Sequence, residues 1–177
     1  MYKKRSIILF IVWLPFFVKA QNKILIDSTK RNELHLNVLT SLSYGFIEIS
    51  YERILTNNSS VGLSAFVPVI KHDTYAYGFI PYYRFFLGKN VANGLFLEGN
   101  LGLLARKDNL KMVYDEYGGY SSLLNTGLNY GYGVALGAKL KSKTSFIVNL
   151  YGGVVRLFNA NGDNVFPRAG ITVGKRF

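Results

Sequence analysis

From residue 33 to residue 177, apolar side chains recur at every second position in runs of ten to fourteen residues, and clusters of Gly, Asn, Ser and Lys separate the runs. Alternation of period two marks a strand with one apolar face. Eight such segments are predicted, at 33–42, 46–55, 60–70, 75–87, 94–106, 128–141, 144–157 and 164–177. Helical periodicity is weak everywhere after residue 21. Three connections, Asn57-Asn58-Ser59, Lys89 to Asn93 and Lys141-Ser142-Lys143, are compact and polar. The alternating set is Ser43-Tyr44-Gly45, Lys71-His72-Asp73, the long stretch Lys107 to Gly127, and Asn159 to Asp163.

Each segment divides into two unlike faces. Leu34, Leu36, Val38 and Leu42 oppose Glu33, His35, Asn37 and Ser41; Ile47, Ile49, Tyr51 and Leu55 oppose Glu48, Ser50 and Glu52. Leu95, Leu97, Leu101 and Leu103 oppose Phe96, Glu98, Asn100 and Gly102, and the remaining segments split the same way. A soluble barrel of lipocalin type would turn the apolar face inward; a membrane barrel turns it to lipid. Charge placement favours lipid. The apolar face carries only Arg53, Arg156 and Lys175, all near segment ends, where long side chains reach an interface. The mixed face carries Glu33, Glu48, Glu52 and Glu98 against Arg84, Lys139, Arg168 and Arg176, a balanced set suited to a confined polar lumen; Arg106 and Lys141 share the parity but end their segments and are assigned to the rims. Turning those four bases into mid-membrane would cost roughly 2–4 kcal/mol each. Summed, that is comparable to a whole domain's stability. The expected fold is therefore all-β, an eight-stranded antiparallel up-and-down transmembrane β-barrel. If the 89–93 turn centres on Val91, Arg84 and Glu98 face each other on the lumen side. Tyr51, Tyr83, Phe85, Phe146 and Phe177 should gather at one rim, and Tyr77, Phe79, Tyr130 and Tyr132 at the other, as two interfacial girdles.

The first twenty residues read as a signal peptide. Lys3-Lys4-Arg5 is a basic n-region, Ile7 to Val18 an apolar stretch interrupted by Pro15, and Val18-Lys19-Ala20 a small-residue cleavage site before Gln21. A spanning helix needs about 20 apolar residues, more than this run supplies. The expected division is signal peptide 1–20, a short periplasmic segment 21–32, and barrel 33–177. Removing the leader lowers the formal charge from +11 to +7. The bases are scattered and mostly lie at turns, so no nucleic-acid partner is expected; anionic lipid is the better match. The 13 Tyr, 13 Phe and 18 Gly suit strands and tight turns, and the lack of Cys excludes disulfides and thiolate metal sites.

The C-terminal Gly170-Ile171-Thr172-Val173-Gly174-Lys175-Arg176-Phe177 resembles the assembly signal of bacterial outer-membrane barrels, with Lys175 where an aromatic is usual. Ile49 to Leu55 followed by Asn57 to Leu63 resembles the first hairpin of small barrels related in architecture to the OmpA transmembrane domain and OmpX. Ile80 to Phe86 and Pro167 to Gly174 resemble later strands of that group. The resemblance implies export to the cell outer membrane. The partners it implies are the assembly machinery, reading Phe177, and outer-membrane lipid including lipopolysaccharide; it implies no established activity.

No catalytic, cofactor-binding or metal site is expected. Gly131, Gly133 and Gly137 have the wrong spacing for a dinucleotide fingerprint; their common parity suggests a bare lumen strip beside larger neighbours such as Tyr82 or Tyr151. His35 and His72 are isolated in sequence, short of the three or four ligands a metal site uses. A lipid-modifying acyltransferase or deacylase would need a His, a Ser and an acid near the outer rim; His72, Asp73 and Ser121 are available, but no spacing motif links them. Eight strands leave an interior only wide enough for side chains, which argues against an open porin. A structural or surface-interaction role is the expectation. Tyr114, Tyr117 and Tyr120 in the long loop are the candidate contacts for an extracellular partner of unknown identity.

Overall fold

The computed structural model of the protein describes residues 30–43, 45–69, 75–88, 90–107, 111–114, 120–123, 126–158 and 164–177. The expected leader and most of the 21–32 segment lie outside them. Ten strands and one short helix follow in order: β1 (Asn32–Asn37), α1 (Val38–Ser43), β2 (Phe46–Thr56), β3 (Ser59–Pro68), β4 (Tyr75–Phe86), β5 (Gly94–Lys107), β6 (Lys111–Tyr114), β7 (Tyr120–Leu123), β8 (Thr126–Lys141), β9 (Phe146–Leu157) and β10 (Val165–Arg176). Eight of the strands form one closed antiparallel barrel in the order β1-β10-β9-β8-β5-β4-β3-β2. Closure is made by the two chain-terminal strands, with Glu33 opposite Arg176. Asn32 and Phe177 exchange both backbone hydrogen bonds, at 3.0 and 2.8 Å, so the seam is paired to its last residue.

Two expectations need correction. Residues 38–42 do not continue the first strand but turn into α1. Asn37 acts as its N-cap: its side-chain oxygen accepts from the Thr40 backbone N–H at 3.4 Å, and its carbonyl accepts from Ser41 Oγ at 2.8 Å. Such local bonds offer the backbone an alternative to the sheet ladder, and here they outweigh the alternation of Leu36 and Val38. The stretch from Lys107 to Gly127 is not plain loop either. It contains the β6–β7 hairpin, a separate two-stranded sheet pairing Tyr114 with Tyr120.

The β2–β3, β4–β5 and β8–β9 connections share one end of the barrel with the start of β1 and the end of β10; this is the turn end. The β4–β5 turn is less polar in effect than its composition suggests. Ala92 is fully buried beneath the barrel, its N–H donating to the Asn57 carbonyl at 2.7 Å. Arg176 donates to the Ala92 carbonyl from the other side at 3.0 Å. The turn thus forms a floor.

The period-two faces are realised with the apolar one outward. Leu36, Ile49, Leu97 and Ile171 are each between 42 and 48 % exposed, whereas Glu33, Glu52 and Glu98 are completely buried. Arg53, Arg156 and Lys175 are exposed near strand ends. Tyr51, Tyr83, Phe85, Phe146 and Phe177 lie on the outside toward the turn end, and Tyr77, Phe79, Tyr130 and Tyr132 toward the other. The barrel interior is stratified. An apolar cluster of Phe46, Phe66, Ile80, Leu104, Val155 and Leu157 fills the loop end. A second, with Ile54, Phe86, Ala92, Phe96 and Tyr151, fills the turn end. Charge runs between and beside them.

Candidate functional site

The interior charges form one connected chain of alternating sign. From the turn end it runs Arg176–Glu33–Lys139–Glu52–Arg84–Glu98–Arg168–Glu48. Every link is a close contact: Arg176 Nη2 to Glu33 Oε1 is 2.6 Å, Lys139 Nζ to Glu33 Oε2 2.7 Å, and Arg84 Nη1 to Glu52 Oε2 2.7 Å. Arg84 Nε lies 2.9 Å from Glu98 Oε2, and the two residues are direct cross-strand partners of β4 and β5. Arg168 Nε reaches Glu98 at 3.1 Å, and its Nη1 reaches Glu48 at 2.7 Å. All eight inward-facing residues singled out in the sequence are members, and all are buried. Parity places each on the interior because it occupies the face opposite the exposed Leu, Ile and Val positions of its strand.

Neutral groups complete the shell. Ser60 Oγ donates to Glu52 at 2.6 Å, Asn100 Nδ2 to Glu98 at 3.0 Å, and Asn37 Nδ2 to Glu48 at 2.7 Å. The cations also lie against rings: Arg84 is 4.4 Å from the Phe96 centroid and 4.5 Å from that of Tyr82, Lys139 4.9 Å from Phe86, and Arg168 4.9 Å from Tyr151. A guanidinium between a ring face and a carboxylate is attracted by both. Four carboxylates and four bases cancel. That is the arrangement in which buried ions are tolerable, because each desolvated charge has a partner.

His35, isolated in sequence, is not isolated in space. Its Nε2 is 3.0 Å from Glu33 Oε2 and 3.9 Å from Glu52 Oε2, which ties it into the chain. Strand parity was the available signal, since His35 shares a face with Glu33 and Asn37. The ligand atoms of Glu33, His35 and Glu52 all lie within 4.8 Å of one another, close enough to hold a metal ion. Lys139 shares that space. Its ammonium bridges Glu33 and Glu52 and supplies the positive charge at the place a cation would occupy.

Gly and ring positions interlock around this chain. An added Cβ at Gly62 would strike the Tyr82 ring, at Gly137 the Phe96 ring and Tyr151, and at Gly170 the Tyr151 ring. Gly131 and Gly133 serve another purpose than making room for Tyr82 or Tyr151. Their missing side chains admit the β9 backbone, whose Arg156 and Val154 carbonyls a Cβ would strike.

The chemistry open to such an interior is narrow. A gap at its loop end, lined by Thr40, Phe46 and Arg168 among others, holds about 30 Å³, room for roughly one water. Of the alternative enzymatic set, His72 and Asp73 lie outside the described residues, and Ser121 falls on β7. Among the candidate contacts, Tyr114 ends β6, Tyr120 begins β7, and Tyr117 is outside the described residues. Phe177 is half-exposed, next to the closing seam.

An apolar outer wall around a balanced ionic filling, in eight antiparallel strands closed on themselves, defines the class: a small closed eight-stranded antiparallel β-barrel, the fold of OmpA/OmpX-like barrels. That fold is shared with a solved outer-membrane barrel domain. The N-terminal β-barrel domain of Pseudomonas aeruginosa OprF superposes with a TM-score of 0.50 at 15 % identity, over 84 % of this chain and 96 % of that one. The Yersinia pestis outer membrane protein Ail, determined in a phospholipid bilayer nanodisc, gives a TM-score of 0.48 at 13 % identity, over 84 % and 99 %. No protein-family model matches the sequence, and no curated protein matches it.

Proposed function

We propose that the protein spans the outer membrane as a closed, side-chain-filled barrel, with a structural or surface-interaction role rather than a catalytic or pore function. The supporting observation is the inversion of polarity. Leu, Ile, Val, Phe and Tyr cover the outside of all eight barrel strands, while every side-chain carboxylate among the described residues is inside. Water cannot account for that wall, because contiguous apolar patches on soluble monomers rarely exceed a few hundred Å². Lipid accounts for it directly. Closure matters equally, since a barrel leaves no edge strand unpaired in hydrocarbon.

In this reading the turn end faces the periplasm and the connection carrying β6 and β7 faces outward. Phe177, at the end of β10, serves the assembly machinery during insertion, and the outer wall contacts membrane lipid, lipopolysaccharide included. Tyr114, Tyr117 and Tyr120 are the residues offered to an outside partner. The test combines heat-modifiable gel migration of the membrane fraction with proteolysis of intact cells. The expected result is a folded band that shifts on boiling and is cut within 107–127. A band that does not shift, or that is found in the soluble periplasmic fraction, overturns the membrane placement; cleavage at the β2–β3 or β8–β9 turn overturns the orientation.

A further inference from the structure

The outer wall is not uniform, and a wide depression in it lies toward a rim whose described side-chain charges outside the lumen are all basic. Leu87, Leu95, Leu136, Ala138, Leu150 and Gly152 line an open apolar groove of about 610 Å³ across β5, β8 and β9, toward the turn end. The groove exists because small residues interrupt a wall otherwise built of Leu and Val. Gly152 faces outward opposite Leu136 and Ala169, and a Cβ there would meet nothing within 4 Å. Ala138 faces Leu150 one step nearer the turn.

Three residues past Ala138, on the order of 10 Å along the strand, β8 ends in Lys141, which has lumen parity but is exposed at the rim, where a long side chain can reach over the edge, and the turn carries Lys143, also exposed. The turn is held in place by its backbone, Lys141 N–H donating to Asn93 Oδ1 at 3.2 Å, so neither lysine side chain is needed to form it. Lys175 stands on the neighbouring strand, 5.9 Å from the Phe146 ring centroid. The described bases of this end outside the lumen are Lys30, Arg31, Arg53, Lys141, Lys143 and Lys175, and no described carboxylate side chain lies among them. The four described carboxylates are all consumed by the interior chain. By sequence, the segment before β1 and the β4–β5 turn add Lys23, Asp27 and Lys89 to this end, whereas the opposite end holds Asp73, Asp108, Asp115, Glu116 and Asp163 against Lys71, Arg106, Lys107, Lys111 and Arg156, so the charge surplus is not shared between the two ends.

Building on the membrane placement proposed above, we infer that the groove and the basic turn beside it hold one anionic glycerophospholipid of the leaflet at the turn end. An acyl chain lies against Gly152 and Ala138, and the phosphate meets Lys141 and Lys143. Charge complementarity selects this occupant over a second copy of the chain. A two-fold contact through the same groove would bring the same lysines of both copies together. Lipopolysaccharide phosphates belong to the opposite leaflet, away from this rim.

The test is native mass spectrometry of the full-length folded chain released from micelles holding equimolar phosphatidylglycerol and phosphatidylcholine, after insertion into phosphatidylcholine vesicles has been checked by heat-modifiable migration. One retained phosphatidylglycerol per barrel is expected, preferred by roughly five-fold for each basic side chain that engages it. K141Q/K143Q should bring the two lipids to parity while the folded band remains. Gly152→Leu, entering open space, should lower retention of both lipids alike. Equal retention in the unaltered protein, an unchanged preference in K141Q/K143Q, or unchanged retention in Gly152→Leu overturns the inference. So does a lipid-free dimer, or retention of added lipid A in place of phosphatidylglycerol. A chain that inserts and shifts but shows no preference sinks this inference alone, whereas one that fails to insert sinks the membrane placement with it.

Discussion

At the scale of single residues, Lys139 is held on every side. It is completely buried, it bridges Glu33 and Glu52, and it lies over the Phe86 ring. Its partners have further cations, Arg176 and Arg84, so the loss of Lys139 leaves two carboxylates each short of one neighbour rather than fully stranded. Breaking one member out of a buried ionic set costs about 3–5 kcal/mol, whereas replacing a set by apolar groups of matching shape is often neutral. Lys139→Met should accordingly lower stability by about 3–5 kcal/mol, read as a drop in the urea midpoint of the vesicle-inserted barrel. Combining it with Glu52→Gln should recover part of the loss, because one of the two under-compensated carboxylates is removed with it. A double variant as unstable as the sum of the singles would show that the chain is not energetically coupled.

At the scale of elements, the β8–β9 seam is the tightest place in the wall. Gly131, Gly133 and Gly153 all face inward there, and a Cβ on any of them would strike the neighbouring strand's backbone. Gly133→Val should therefore prevent β8 and β9 from closing, seen as loss of the heat-shifted folded band. Gly99→Val makes the control. Gly99 is on the outside of β5 with nothing within 4 Å, so the band should survive. Equal behaviour of the two would mean that β propensity, not inter-strand crowding, governs these sites. The helix α1 belongs to this scale as well. Alternation predicted a strand to residue 42, and the capping bonds of Asn37, Thr40 and Ser41 ended it at 37.

At the scale of the whole molecule, the described interior is filled by two apolar clusters and an ionic chain, which under the proposed reading blocks ion flow. The floor at the turn end adds to this, since Arg176 fastens the β4–β5 turn beneath the lumen. Reconstituted in a planar bilayer, the protein should give no stable conductance steps. Regular steps from the unaltered chain would exclude the filled interior. Under the proposed reading, the same filling directs any interaction to the wall or the connections.

What the order of residues determined by itself was parity. Period-two alternation is local, so it separated wall from interior strand by strand, and one short connection was enough to set Arg84 opposite Glu98. The remaining partnerships join residues far apart in the chain: Lys139 with Glu33, Arg168 with Glu48, His35 with Glu52. Those depend on the height each strand reaches in the barrel, which strand tilt and stagger set only when the sheet closes. The groove around Gly152 depends likewise on three strands lying side by side. Local alternation knows which way a side chain points, but only closure decides what it meets.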